Sequence, residues 1–91
     1  MYAVVVRETG DADRIDASGD MVREAVVPQV RQAPGFVSAM FTSDGRGGTL
    51  NVITFESETA AQAALDAARR APRPPFLTLD SVELVRVLAT G

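Results

Sequence analysis

Few side chains in this sequence can do chemistry, and most of them interrupt apolar runs. Asn51 stands between Leu50 and Val52 in the run Leu50-Asn51-Val52-Ile53-Thr54-Phe55. An amide there can bind a substrate oxygen or stabilise an anion. It can equally bond to a neighbouring strand, as buried polar groups regularly do. Glu83 and Arg86 interrupt the run Val82 to Leu88, and Arg7 follows Tyr2-Ala3-Val4-Val5-Val6. Arg86 offers a positive charge to an anionic substrate, with Glu83 as a general base on the opposite strand face. The alternative is a structural ion pair that sets Arg7 or Arg86 beside an acid on an adjacent strand. Tyr2 can donate a phenolic hydrogen bond into a cavity or plug its mouth. Asn51, Arg86, Tyr2 and Glu83 are therefore the candidate ligand-binding residues, and no catalytic residue can be assigned from spacing.

Other chemistries are closed by composition. The chain has no cysteine and no histidine. Disulfides, thiolate nucleophiles, the commonest general base and most zinc sites go with them. Asp11, Asp13 and Asp16 have the look of a calcium loop, but Asp16 stands where that loop needs glycine and Val22 where it needs glutamate. No metal site is expected, and this stretch reads as a solvated loop. Gly45 to Gly48 lacks the lysine and helix of a phosphate loop. Pro72-Arg73-Pro74-Pro75 reads as a stiff connector in preference to a polyproline ligand. The net charge of −3 argues against a nucleic-acid partner. No apolar stretch is long enough for a membrane span and no leader is evident, so a cytoplasmic protein is expected. All nine basic residues are arginine, which with the abundant alanine and valine suits a GC-rich genome such as an actinobacterium's.

The elements that must position these residues follow from periodicity. Residues 2–8 are a first strand and Gly10 to Gly19 a polar loop. Asp20 is placed to cap a helix whose stripe is Val22, Ala25, Val26, Val30 and Ala33. Pro28 should bend or break that helix, and Pro34-Gly35 end it. Phe36 to Ser43 and Thr49 to Glu56 are strands joined by the Asp44–Gly48 hairpin loop. Ser57 caps a second, alanine-rich helix from Glu58 to about Arg70, and Leu79 to Ala89 is the last strand. The order β-α-β-β-α-β in one domain of 91 residues gives an α+β ferredoxin-like sandwich. Its four-stranded antiparallel sheet carries two helices on one face.

The strands are apolar on both faces, yet two helices cover only one. A sheet with a wet face should alternate. The other face should therefore meet a second copy of the chain, forming a homodimer through the sheet faces.

At this point the chain resembles the dimeric α/β-barrel superfamily, in particular the small antibiotic-biosynthesis-monooxygenase-like proteins. The resemblance rests on Gln32-Ala33-Pro34-Gly35-Phe36 and on the strand-to-helix junction Phe55-Glu56-Ser57-Glu58-Thr59-Ala60-Ala61. It implies two sheets packed face to face around a mainly apolar cavity. The superfamily includes cofactor-independent monooxygenases, haem-degrading enzymes, isomerases and proteins without a known role. Its haem-binding branches generally hold iron through histidine, so no cofactor is expected here. Two readings stand. One is a homodimeric small-molecule-binding or structural protein, with a small apolar or aromatic ligand between the sheets. The other is a cofactor-independent monooxygenase-like enzyme acting on an aromatic or quinone-type molecule.

Overall fold

A computed structural model describes residues Met1–Gly91. The elements are β1 (Tyr2–Gly10), α1 (Ala12–Ala17), α2 (Gly19–Met21), a π-helical turn (Val22–Val26), α3 (Val27–Val30), β2 (Phe36–Ser43), β3 (Gly48–Phe55), α4 (Glu58–Arg70) and β4 (Leu77–Arg86). The four strands make one antiparallel sheet in the order β2-β3-β1-β4. This is the α+β ferredoxin-like arrangement that the element order predicts.

The best-packed part is α4 against the sheet. Ser57 caps it by accepting a hydrogen bond from the Ala60 amide at 3.1 Å. Glu58 lies in its first turn and Arg69 and Arg70 in its last, each sign favourable to the helix dipole. The small side chains of Ala60, Ala61 and Ala64 let α4 sit close, and Ala61 and Leu65 are buried against Val4, Val6 and Phe55. Burying a leucine such as Leu65 stabilises by about 1.5–3 kcal/mol. Phe36 meets Phe55 edge to face, with ring centroids 6.4 Å apart. The two junctions singled out in the sequence touch here. Gly35 has φ +76° and an added Cβ would stand 2.9 Å from the Ala60 Cβ. Its carbonyl accepts the Glu56 amide at 2.8 Å. Only glycine combines that backbone angle with that approach.

The first helical layer differs from expectation. Residues 10–19 are not a loop: Asp11 Oδ1 accepts the Arg14 amide at 2.9 Å and starts α1, which buries Ile15. The cap is thus Asp11 and not Asp20, which lies inside α2 and pairs with Arg23. The single large apolar residue Ile15, between Arg14 and Asp16, gave the sequence too little periodicity to reveal a six-residue helix. Pro28 has no amide hydrogen to give the Glu24 carbonyl. The preceding residue, Val27, donates instead to Val22 five residues back, which widens the turn into π-helix. Of the expected stripe, Ala25 is exposed, while Val22, Val26, Val30 and Ala33 are half-buried. Strand β4 begins two residues early and stops at Arg86, because β1 starts at Tyr2 and offers no further partner. Val87 adds one bond to the Met1 carbonyl, and Leu88 is exposed.

Register sorts the side chains onto two faces. Val4, Val6, Ile53, Phe55, Val82 and Leu84 look toward the helices. Val5, Val52, Leu50, Met40 and Val85 look the other way, onto a face that no element of the chain covers. Met40 and Val85 on that face are 56% and 39% exposed. A bulge in β4 opposite Arg7 and Glu8 inserts Asp80 and places Leu79 opposite Glu8. An unbroken register would have set Asp80 against Glu8. The bulge instead turns Asp80 out to accept from the Thr9 hydroxyl.

Candidate functional site

The helix face is filled unevenly. Where α4 packs, the core is dense. Where α1, α2 and the π-helical turn stand off the other half of the sheet, they leave an open cleft of about 580 Å³. Its floor is Glu8 of β1, Ala39 and Phe41 of β2, and Thr49 and Asn51 of β3. Ile15, Val22 and Val27 form an apolar roof, and Phe76 and Leu77 close one end. This cleft lies within the single chain. The sequence reading had put the cavity between two sheets. Asn51 is on the helix face, directly opposite Val6 in the ladder, and so lines this cleft and not the uncovered face.

Two polar groups meet on the floor. The Glu8 carboxylate is nearly buried, yet it belongs to the strand that carries Val4 and Val6 into the core. Arg73 explains how it is tolerated. The Arg73 Nε donates to Glu8 Oε2 at 2.7 Å, with both side chains largely buried. The same guanidinium donates to the carbonyls of Ala68 at 2.8 Å and Ala71 at 3.0 Å, the otherwise unpaired end of α4. Asn51 Nδ2 donates to Glu8 Oε1 at 3.3 Å, and its Oδ1 accepts the Thr42 amide at a long 3.4 Å. Arg73 thus fills one carboxylate oxygen and leaves the other beside Asn51, facing the cleft. The segment 72–75 is a connector, as read, but its arginine also ties the end of α4 to β1.

The remaining candidates lie elsewhere. Tyr2 and Arg86 face each other across β1 and β4, on the helix side but at the far end of the strand. Six residues of strand, about 20 Å, separate them from Glu8. Glu83 is on the uncovered face opposite Val5, its carboxylate 4.0 Å from the Arg7 guanidinium. Both are more than half exposed, and such a pair contributes little. Only Asn51 of the four reaches the cleft. Glu8 and Arg73 were missed in the sequence. The available signal was that Glu8 continues the two-residue period of Val4 and Val6 onto the core face.

The hairpin that fixes the β2–β3 register is held by a second carboxylate. Asp44 accepts the amides of Arg46 at 2.7 Å and Gly48 at 3.0 Å. Those bonds hold the Asp44 carboxyl below the usual carboxylate range.

No known family profile matches the chain, and no curated protein does. Solved structures do. A protein of unknown function from Nitrosomonas europaea, NE2512, matches with TM-score 0.66 at 20% identity, over 99% of this chain and 91% of that one. The haem-degrader MhuD from Mycobacterium tuberculosis, with two haems bound in its active site, matches with TM-score 0.63 at 19% identity, over 100% and 99%. A monooxygenase from the gene ActVA-Orf6 of Streptomyces coelicolor, in complex with nanaomycin D, matches with TM-score 0.57 at 20% identity, over 99% and 88%. Further matches include an antibiotic biosynthesis monooxygenase and a dimeric ferredoxin-like protein from an uncultured marine organism.

The cleft does not fit haem. No histidine, cysteine, tyrosine or methionine lines it to hold an iron, and Glu8 and Asp16 give it acidic groups where a porphyrin brings propionates. What the matches share with this chain over nearly its whole length is architecture: it has the ferredoxin-like fold of the antibiotic-biosynthesis-monooxygenase-like structures.

Proposed function

We propose that this chain is a homodimeric small-molecule-binding protein whose ligand lies in the cleft between β1–β3 and the first helical layer. The observation that carries this reading is the cleft itself: about 580 Å³ with an apolar roof and a floor holding two convergent polar groups. A few placed polar groups in a mainly apolar concavity are the usual make-up of a small-molecule site. The half-buried valines of the π-helical turn and α3 leave apolar area that a ligand would cover. Binding of the neutral dye Nile red, read as a fluorescence increase, tests this. Ala39→Trp, which fills the floor, should abolish the increase, and an unchanged response would place the dye elsewhere.

The dimer reading rests on the opposite face. Val5, Leu50, Val52, Met40 and Val85 form one apolar patch across all four strands. Four strands of eight residues present about 500 Å² in projection, and more as ridged accessible surface. A stable interface takes about 800 Å² per partner. A protein of similar fold that is described as dimeric supports a dimer here.

A second reading, a cofactor-independent monooxygenase-like enzyme, is favoured by one specific pairing. Glu8 Oε1 and the Asn51 amide stand side by side on an apolar floor. A carboxylate can take the proton of a phenol or hydroquinone, and an amide N–H can stabilise the resulting oxyanion. Such a substrate supplies the electrons that activate oxygen, one atom entering it and the other leaving as water. Oxygen consumption with a panel of hydroquinones, lost in Asn51→Ala, would establish this reading. No consumption above the buffer rate would leave binding alone.

A further inference from the structure

The floor of the cleft does more than offer polarity. Arg73 engages Glu8 Oε2 from outside the cleft, while Oε1 is turned toward Asn51. Arg73 does not line the cleft. A ligand therefore meets a carboxylate oxygen, and the cation that balances it is out of reach. The other ionisable lining groups are Asp16 and Arg23, and Arg23 forms an exposed pair with Asp20. With Glu8 balanced by Arg73 and Arg23 by Asp20, Asp16 is the one lining charge without a counter-ion, and the acids turn acceptor oxygens to whatever enters.

From this arrangement we infer that the site selects ring compounds carrying a hydrogen-bond donor, a hydroxyl or an amino group, and excludes carboxylates. This rests on the reading of the cleft as a ligand site and adds its chemical preference. The donor bonds to Glu8 Oε1, and its own oxygen or nitrogen sits beside the Asn51 amide. The ring lies between Phe41 and the valines of the roof. A hydrogen bond to an ionised acceptor is among the stronger ones. An anion brought to the same place faces a like charge in a partly desolvated site. Arg73 acts as a positioning residue: it fixes which carboxylate oxygen is free and never touches the ligand.

Three probes with one apolar body separate the possibilities: 1-naphthol, 1-methoxynaphthalene and 1-naphthoate, titrated against the full chain at pH 7 by calorimetry. The expected order is naphthol tightest, with methoxynaphthalene weaker by about ten-fold or more, the loss of one charge-assisted bond. Naphthoate should be weaker still. Glu8→Gln should narrow the naphthol preference to within about three-fold and let naphthoate bind, because a neutral amide neither prefers donors so strongly nor repels anions. Asn51→Ala should weaken naphthol while leaving naphthoate excluded. Equal binding of all three probes to the unmodified chain overturns the donor preference and leaves the ligand site standing. Binding of none overturns both. The unmodified comparison decides the matter even if Glu8→Gln does not fold.

Discussion

Replacing Arg73 by methionine removes the charge of the clamp while keeping most of its length. Three interactions are lost at once. Glu8, largely buried on the core face, loses its only cation, and the carbonyls of Ala68 and Ala71 lose their donor. Breaking a buried ion pair by removing one partner typically costs about 3–5 kcal/mol, most of it the uncompensated charge left behind. The two α4 carbonyls lie near solvent and can take water, so their loss adds at most about 1 kcal/mol. A domain of this size has a total stability of about 5–15 kcal/mol. The urea dependence of a small domain is about 1–3 kcal/mol/M. The unfolding midpoint should therefore fall by roughly 1–6 M, followed by circular dichroism at one fixed protein concentration so that any dimer contribution cancels. The double variant Glu8→Leu/Arg73→Met should recover most of the loss, since a buried pair replaced by apolar side chains of similar size is often neutral. If Arg73→Met alone costs less than about 1 kcal/mol, Glu8 is solvated through the cleft and the clamp described above does not hold the floor.

Other expectations follow from particular contacts. Val52→Asp, at the centre of the uncovered face, should convert a dimer to a monomer in light scattering at micromolar concentration, and a monomeric unmodified chain would defeat the dimer proposal outright. Gly35→Ala should destabilise by about 2 kcal/mol or more, from the left-handed backbone and the contact with Ala60 together, read as a lower urea midpoint. Ser57→Ala should cost about 1 kcal/mol through the lost cap of α4. For Asp44 the folded carboxyl lies below its unfolded value of 3.8, so its contribution is present above that value and disappears as pH falls through the lower folded value. Asp44→Ala should therefore be less stable than the parent at pH 7 and should converge with it at acidic pH. A deficit independent of pH would point to some other cause.

The frame of this fold was legible because its signals are local. Ser57 before an alanine-rich stretch and the glycine hairpin after Asp44 each act over a few residues and stand where the sequence placed them, whereas the helix expected to run to Pro34-Gly35 ends at Val30. The continuous apolar strands do place apolar side chains on both faces of one sheet. What they hid was parity. When both faces are apolar, nothing in the run says which residues look toward the helices, and register is set by hairpin length and by the bulge at Asp80. Asn51 was thus legible as unusual, while its place on the helix face, opposite Val6, was not. Glu8 and Arg73 are 65 residues apart and come together only through the tertiary fold. Helix α1 escaped because six residues with one buried apolar side chain carry almost no periodic signal.

The central claim is where a ligand goes: into the cleft of a single chain, or into the space that two uncovered sheet faces would enclose. Backbone amide and side-chain methyl NMR shifts during titration with 1-naphthol separate the two directly. Saturable shifts should gather at Glu8, Ile15, Val22, Phe41 and Asn51, with Val5, Val52 and Val85 left unmoved. Shifts concentrated at Val5, Val52 and Val85 would contradict the account and restore the inter-sheet site.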